Sequence, residues 1–475
     1  MPFDSTLMSR LQEIVGAVHC ITDASSMAPY LHEERGLYTN SAAAVVVRPA
    51  STAEVAAVVE ACANADVSIV PQGGNTGLCG GATAREDGSQ VIVSLGRMKK
   101  VRAIDPINFN ITVEAGCILA DIQRTAADHN SLFPLSLAAE GSCQIGGNLA
   151  TNAGGINVLR YGNARDLVLG LEVVLPDGRI WNGLKSLGKD NTGYALRHWF
   201  VGAEGTLGII TAAVLKLFPR PTETSTALCA LSDLESATKL LNLARALSGD
   251  AVTAFELIPR TGLEMCANHI AGVTDPFAAP YAWYVLIELS TSRPDAAIRP
   301  SFDAVLEKAF EDGLIADAVI AESLDQSQSL WRIRESIPEA QKYEGGSIKH
   351  DVSVPVSRVP EFITKGTDII ANQFPGARPV PFGHLGDGNI HFNISQPIGT
   401  DKAAYLARWT EMNRAIHDLV VSMDGSFSAE HGIGKLKVEE MRHYKDPVEL
   451  DLMARIKRAI DPKNLMNPGK VVDLG

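Results

Sequence analysis

The 475-residue sequence is poor in aromatic residues (6%) and in charge (20%), and no apolar run reaches the roughly 18 to 20 residues of a membrane-spanning helix. Its start, MPFDSTLMSRLQEIVG, lacks the basic head and apolar core of a secretory signal, so a soluble cytoplasmic protein is expected. Basic clusters are missing as well. With 42 Lys and Arg against 55 Asp and Glu the net charge is -13, which disfavours binding to phosphate backbones or anionic bilayers, and no nucleic-acid partner is expected. The seven cysteines (Cys20, Cys62, Cys79, Cys117, Cys143, Cys229, Cys266) are odd in number and never in CxxC spacing. Neither a disulfide framework nor a zinc ribbon is indicated, and reduced, mostly buried thiols are expected. Two nucleotide signatures are also absent. There is no GxxxxGK[ST], and Gly202, Gly205 and Gly208 have the spacing GxxGxxG, not GxGxxG, so P-loop and Rossmann sites are disfavoured.

What is present is enough apolar residue, 46% spread along the chain, to build a packed core. At about 150 residues per domain the length suggests about three units, with two large ones equally allowed. From 44 to 118, short β-branched runs alternate with a helical pattern at 53 to 64, which is α/β grammar. Pro176-Asp177-Gly178 is turn chemistry for an antiparallel pair. Pro219-Arg220-Pro221-Thr222 is the best candidate boundary, because closely spaced prolines favour an extended connector. Beyond it the order βαββαβ, with its second helix at 296 to 310, suits an antiparallel sheet backed by helices. A helical tail is expected over 438 to 460. The resulting division is 1–220, 221–425 and 426–475.

Two glycine-rich segments stand out among the 41 glycines. Pro71-Gln72-Gly73-Gly74-Asn75-Thr76-Gly77 follows an apolar run and precedes Gly80-Gly81; a longer version runs from 140 to 155. Such glycines either mark tight turns or let backbone N–H groups converge on an anion, usually phosphate. The small residues of the second segment permit close approach of something flat and large.

A third feature is Pro381-Phe382-Gly383-His384-Leu385-Gly386-Asp387-Gly388-Asn389-Ile390-His391-Phe392-Asn393. Its Gly-Asp-Gly bend can aim both imidazoles at one point, and the period of two puts His391 and Asn393 opposite Ile390, Phe392 and Ile394. Downstream, Glu430-His431-Gly432 adds a carboxylate and an imidazole. Each histidine alone reads as a hydrogen-bonded structural residue; the set of three ligands plus a spare base has catalytic-zinc stoichiometry. Cys79 and Cys143 stay open as ligands but lack partners.

PQGGNTGLCGGA, the 141 to 155 segment and GAEGTLGIIT at 202 to 211 together resemble the FAD-binding domain of the vanillyl-alcohol oxidase and p-cresol methylhydroxylase superfamily. GHLGDGNIHFN and AEHGIG resemble the C-terminal domain of the FAD-linked D-2-hydroxyacid dehydrogenases, the branch with D-lactate and D-2-hydroxyglutarate dehydrogenases. The resemblance implies an α+β protein: a two-subdomain FAD-binding domain (1–220), a ferredoxin-like antiparallel-sheet cap (221–425), and a C-terminal helical segment (426–475) packing back on the FAD domain. It implies that Pro71, Gly73, Gly74, Asn75, Thr76 and Gly77 wrap the FAD pyrophosphate. Ser142, Gly146, Gly147, Thr151, Ala153 and Gly154 would line the cofactor, with Ile209 and Ile210 near its adenine or flavin. Members with covalent flavin often carry a histidine at the end of the first loop; this chain has Asn75 and Thr76, so noncovalent FAD is expected.

By the same resemblance His384, His391 and Glu430 would bind a divalent metal, zinc first among them. His431 would be the base, and Asn393 would contact substrate. Arg334 and Lys349 would clamp the carboxylate of an anionic 2-hydroxy acid. Some relatives acting on 2-hydroxyglutarate have a Thr four residues after the arginine, where this chain has Pro338. The expected activity is oxidation of a D-2-hydroxy acid, with an electron-transfer flavoprotein, quinone or cytochrome as electron acceptor. A homodimer is compatible with a sequence that does not fix oligomeric state. Competing readings are an oxygen-using oxidase on a glycolate-like substrate, and a non-redox protein that binds a nucleotide and a metal.

Overall fold

The computed structural model describes residues 3–293, 297–472 and 474. They divide into two compact units: unit 1 comprises 1–154, 162–220 and 430–475, and unit 2 comprises 155–161 and 221–429.

In unit 1, the helix Ser5–Val15 is capped by Asp4, which accepts from Leu7 N–H at 2.8 Å, and it buries Leu7, Leu11 and Val15 at helical spacing. The helix Thr52–Asn64 starts on Ser51 and buries Val55, Val58, Val59 and Cys62. Both flank a four-stranded sheet in the order Cys20–Ile21, Val45–Val47, Val91–Ser94, Ile69–Gln72, whose last three strands are parallel. A second sheet is antiparallel, in the order Val101–Asp105, Asn110–Glu114, Ile209–Lys216, Val168–Val174, Ile180–Gly183. Its Val168–Val174 and Ile180–Gly183 hairpin turns over the Pro-Asp-Gly segment. All seven cysteines are buried and none is in a disulfide.

The C-terminal tail is part of this unit. Met466 bridges Ile69 in parallel, and Asn467 N–H donates to the Ile69 carbonyl at 2.8 Å. The tail is helical as expected and is broken into two helices, Val438–Tyr444 and Pro447–Ile460. Pro447 is the reason. It has no N–H for an ongoing helix but suits a first turn, which Asp446 caps through Val448 N–H.

Unit 2 is built on an eight-stranded antiparallel sheet in the order Ile315–Ile320, Glu223–Leu231, Trp283–Thr291, Val252–Pro259, Arg378–His384, Asn389–Ser395, Ser347–Ile348, with Asp351–Ser353 also paired to Asn389–Ser395. Helices cover both faces. One face packs Ala227, Phe255, Leu257, Phe392 and Ile394 against the helices Ser236–Ser248, Arg299–Glu311, Val359–Gln373 and Trp409–Ser422. The other packs Leu228, Ile258, Tyr284 and Phe382 against Arg260–His269 and Leu324–Tyr343. Double coverage is why the central strand Trp283–Thr291, WYVLIELST, reads as a nearly continuous apolar run.

The helix Arg260–His269 was missing from the expected order. Its sequence, RTGLEMCANH, is short and has a glycine in its first turn, which disfavours a helix, and Gly262 brings it close to the helix Leu324–Tyr343: a methyl there would lie 3.4 Å from Ile337 Cδ1. The helix expected from 296 spans Arg299–Glu311, and residue 296 lies outside the described residues.

Two boundaries also differ from those expected. Residues 155–161 belong to unit 2 because Arg160 Nη1 donates to the Ala251 and Ser290 carbonyls (3.0 and 3.1 Å) and Leu159 packs on Gly386. The return to unit 1 comes at residue 430, since Ser426 and Ala429 are still bonded to Ser353 and Asp351.

Lys457 is buried in unit 1, donating to Asp461 Oδ2 (2.5 Å) and to the Thr206 and Met466 carbonyls (2.7 and 2.8 Å). Truncation would leave the Asp461 carboxylate, which also accepts from Leu465 and Met466 N–H, buried without its counter-charge. Lys457→Met should destabilise the protein by about 3–5 kcal/mol, with Asp461→Asn in the same chain, which removes the unpaired charge and keeps an acceptor for those N–H groups, recovering part of it. Urea unfolding midpoints of the two variants check this, and a Lys457→Met loss below about 1 kcal/mol would refute it.

Candidate functional site

In unit 1 the two glycine loops face each other across a cleft. Pro71, Gly73, Gly74, Asn75, Thr76 and Gly77 line it from one side, and Gly146, Gly147 and Thr151 from the other, with Ile209 and Ile210 at its floor. Ser142, Ala153 and Gly154 lie outside the lining. The loops touch because side chains are missing. A methyl on Gly74 would sit 2.4 Å from the Ser142 carbonyl oxygen, and one on Gly146 would sit 2.7 Å from Ala115 Cβ. Gly147 is different: a methyl there meets nothing within 4 Å and would project into open space. Gly77, also in the lining, is open in the same way.

The lining also holds polar atoms with unmet needs. Gln144 Oε1 and Asn148 Oδ1 are buried without a hydrogen-bond partner. A ligand rich in hydroxyl and amide groups satisfies such atoms; in the sequence both residues stand among small ones, with no pattern that marks them. At Asn75, φ is 57°, a left-handed conformation that asparagine tolerates, and its Nδ2 donates to the His32 carbonyl at 2.6 Å.

Glu204 is a further lining residue that sequence reasoning missed, standing in the quoted GAEGTLG but read only for its glycines. Its carboxylate accepts from Ile433 N–H (2.7 Å) and Gly434 N–H (2.8 Å), tying the segment after Glu430 and His431 into unit 1. Burial pushes its carboxyl above the usual range, against those two bonds. Glu430 and His431 are both half-buried, at the start of this last segment.

In unit 2 the sequence motif becomes a hairpin. Arg378–His384 and Asn389–Ser395 pair with His391 opposite Phe382, and Gly388 (φ 85°) closes the turn where a methyl would strike the Val354 carbonyl. Ile390, Phe392 and Ile394 enter the core as the period of two predicts. The His384 and His391 rings meet edge to face, centroids 5.5 Å apart. His391 is also opposite Asp351, with Nδ1 4.0 Å from Oδ1.

Arg334, expected as a carboxylate clamp, is buried on the helix Leu324–Tyr343. Its Nε donates to Glu256 Oε2 at 2.7 Å and its guanidinium lies over the Phe382 ring, 4.9 Å from the centroid. Glu256 Oε1 meets His384 Nδ1 at 2.7 Å. Burial alone would raise the Glu256 carboxyl, but His384 and Arg334 overrule it and hold it at about 2. An acid in the apolar strand VTAFELIP was the available signal, and it was passed over. Asn393 is buried, its Nδ2 donating to Gln341 Oε1 at 2.8 Å; Lys349 is half-buried; Pro338 lies inside the helix Leu324–Tyr343, one turn beyond Arg334.

These sheets and loops define an α+β flavoprotein: an FAD-binding domain of the p-cresol methylhydroxylase type joined to a ferredoxin-like antiparallel-sheet domain. The solved structure of p-cresol methylhydroxylase with substrate bound superposes with a TM-score of 0.76 at 18% identity, over 99% of this chain and 97% of that one. Alkyldihydroxyacetonephosphate synthase does so with a TM-score of 0.76 at 17% identity, over 99% and 87%.

Residues 43–183 match the FAD binding domain family, and residues 220–471 match the FAD linked oxidases, C-terminal domain. Mitochondrial D-2-hydroxyglutarate dehydrogenase of Arabidopsis thaliana is 37% identical over 99% of this chain and 82% of its own length. D-2-hydroxyglutarate dehydrogenase of Xanthomonas citri pv. viticola is 36% identical over 98% and 96%. The chain belongs to the FAD-linked oxidase family, in its D-2-hydroxyacid dehydrogenase branch, and is an FAD-dependent oxidoreductase.

If the space at Gly147 is the cofactor's, Gly147→Ala should weaken FAD binding by roughly 1 to 3 kcal/mol, the cost of one intruding methyl. The apoprotein should melt at the same temperature or higher, since alanine favours the helix Ile145–Ala150. Gly74→Ala should instead lower the melting temperature of the apoprotein itself. Flavin titration beside thermal melts separates the two, and unaltered FAD affinity in Gly147→Ala would contradict the assignment.

Proposed function

We propose that this enzyme oxidises a D-2-hydroxy acid, of the D-2-hydroxyglutarate or D-lactate class, to the 2-oxo acid and passes the electrons to an external acceptor. The observation that carries the reading is in unit 2. A guanidinium held by its Nε edge and stacked on Phe382 stands one carboxylate away from a pair of imidazoles 5.5 Å apart, an arrangement suited to an anion that also carries a metal-binding hydroxyl. Relatives bearing the name D-2-hydroxyglutarate dehydrogenase support the same substrate class. Pro338 supplies no hydroxyl donor beside Arg334, which leaves recognition of a second carboxylate to other groups.

FAD, when bound, supplies the acceptor for the hydride leaving C2. Gly73 to Gly77 would wrap its pyrophosphate; Gly146, Gly147, Thr151, Ile209 and Ile210 would line it, with Ser142, Ala153 and Gly154 behind. Asn75 is engaged with the His32 carbonyl, which supports noncovalent binding. A divalent metal on His384, His391 and Glu430, zinc first, would polarise the substrate hydroxyl and lower its pKa.

The chain's own residues then have separate tasks. Arg334 and Lys349 grip the carboxylate, and Asn393, steadied by Gln341, orients the substrate. His431 takes the hydroxyl proton on a ring nitrogen whose ordinary pKa of about 6.5 suits a base at neutral pH.

Dye reduction across D-2-hydroxyglutarate, D-lactate, D-malate and glycolate, with L-enantiomers as controls, tests the substrate class. Activity should be confined to D-2-hydroxy acids and should require the dye; turnover that consumes oxygen instead would make the protein an oxidase. His431→Ala should slow flavin reduction about 10²- to 10⁴-fold with metal content unchanged, whereas His391→Ala should lose metal and leave the flavin spectrum intact. Acid precipitation should release the flavin into the supernatant.

A further inference from the structure

The strand Val252–Pro259 is buried along its whole length, and Glu256 is its one ionisable side chain. Strand pairing sets Glu256 directly opposite His384, while Arg334 reaches it from the helix Leu324–Tyr343. Both carboxylate oxygens are used, Oε1 by His384 Nδ1 and Oε2 by Arg334 Nε, each at 2.7 Å. For each partner this bond determines what remains to be presented.

A guanidinium has a planar fork of donors, and taking its Nε edge while Phe382 covers its face leaves one orientation for its two terminal amino groups. An imidazole whose Nδ1–H is held by a carboxylate has Nε2 as its ligating nitrogen and is a stronger ligand for that bond. We propose that Glu256 is a positioning residue that sets the ligating nitrogen of His384 and the presenting edge of the Arg334 guanidinium at once, so that one carboxylate tunes both metal retention and substrate-carboxylate binding. This rests on the function proposed above.

The test uses the flavin-loaded full chain with Glu256→Gln, which keeps the shape but offers an amide N–H₂ to one of two donors, and Glu256→Asp, which keeps the charge but withdraws it. Zinc affinity is measured by chelator competition, and KM and kcat with whichever D-2-hydroxy acid the parent enzyme turns over best. The expected result is zinc affinity reduced about 10- to 100-fold and KM raised roughly tenfold, with a lowered melting temperature and with flavin content near that of the parent. A variant that folds and holds its flavin while zinc affinity and KM stay within about twofold would overturn the proposal. If Glu256→Gln does not fold, Glu256→Asp decides by the same criteria; failure of both to fold shows a purely structural carboxylate and also overturns it. A parent enzyme that binds no zinc and reduces its flavin with no D-2-hydroxy acid defeats the underlying function, and that outcome is visible before any variant is made.

Discussion

A carboxylate sealed inside an apolar strand is the constraint on which unit 2 depends. Removing Glu256 from water costs several kcal/mol, and the protein offsets this only while His384 and Arg334 are both within hydrogen-bond reach. Elements far apart in sequence are thereby held in one register: the strand Val252–Pro259, the hairpin from 378 to 395 and the helix Leu324–Tyr343. The position of His391 follows from it, because the hairpin that carries His384 sets His391 against Phe382 and Asp351. Asn393, two residues on, lies on the same side of the strand and reaches the same helix through Gln341.

Unit 1 solves a different problem, that of keeping room for a large flat cofactor within a packed domain. Some glycines are consumed by packing: Gly74 and Gly146 let one backbone segment lie directly on another. Gly147 is spared, and its empty side faces a cleft in which Gln144 and Asn148 hold unsatisfied polar atoms. Glu204 then links the cleft to the C-terminal segment through two backbone N–H groups, with Gly432, where a methyl would meet the Glu204 carboxylate, allowing the close contact. The same tail is anchored a second time through the buried Lys457 and its carbonyl and carboxylate partners.

Much of this was legible in the residues themselves. The prolines at 219 and 221, the Pro-Asp-Gly turn, the two glycine loops and the alternation in Ile390 to Ile394 all act through local backbone preference or period, which the sequence states directly. The α+β class, the FAD domain and the family followed from the resemblance of whole motifs to a known family over nearly the full chain. Less local features were misjudged. The helix Arg260–His269 is short, carries a glycine in its first turn and depends on a neighbouring helix to cover it; residues 155–161 join unit 2 through strand-end carbonyls that no local pattern reveals.

By itself, then, the sequence determined which segments could turn, which could pack closely against a phosphate-bearing ligand, and which side chains carried chemistry. Only the tertiary structure decided how those side chains are held. Glu256 and His384 are 128 positions apart, and Arg334 is 78 from Glu256. Glu204 finds its partners 229 and 230 residues downstream. Bonds of that separation are created by sheet order and helix placement, which depend on the summed packing of the whole unit, so a period or a motif read along the chain cannot contain them.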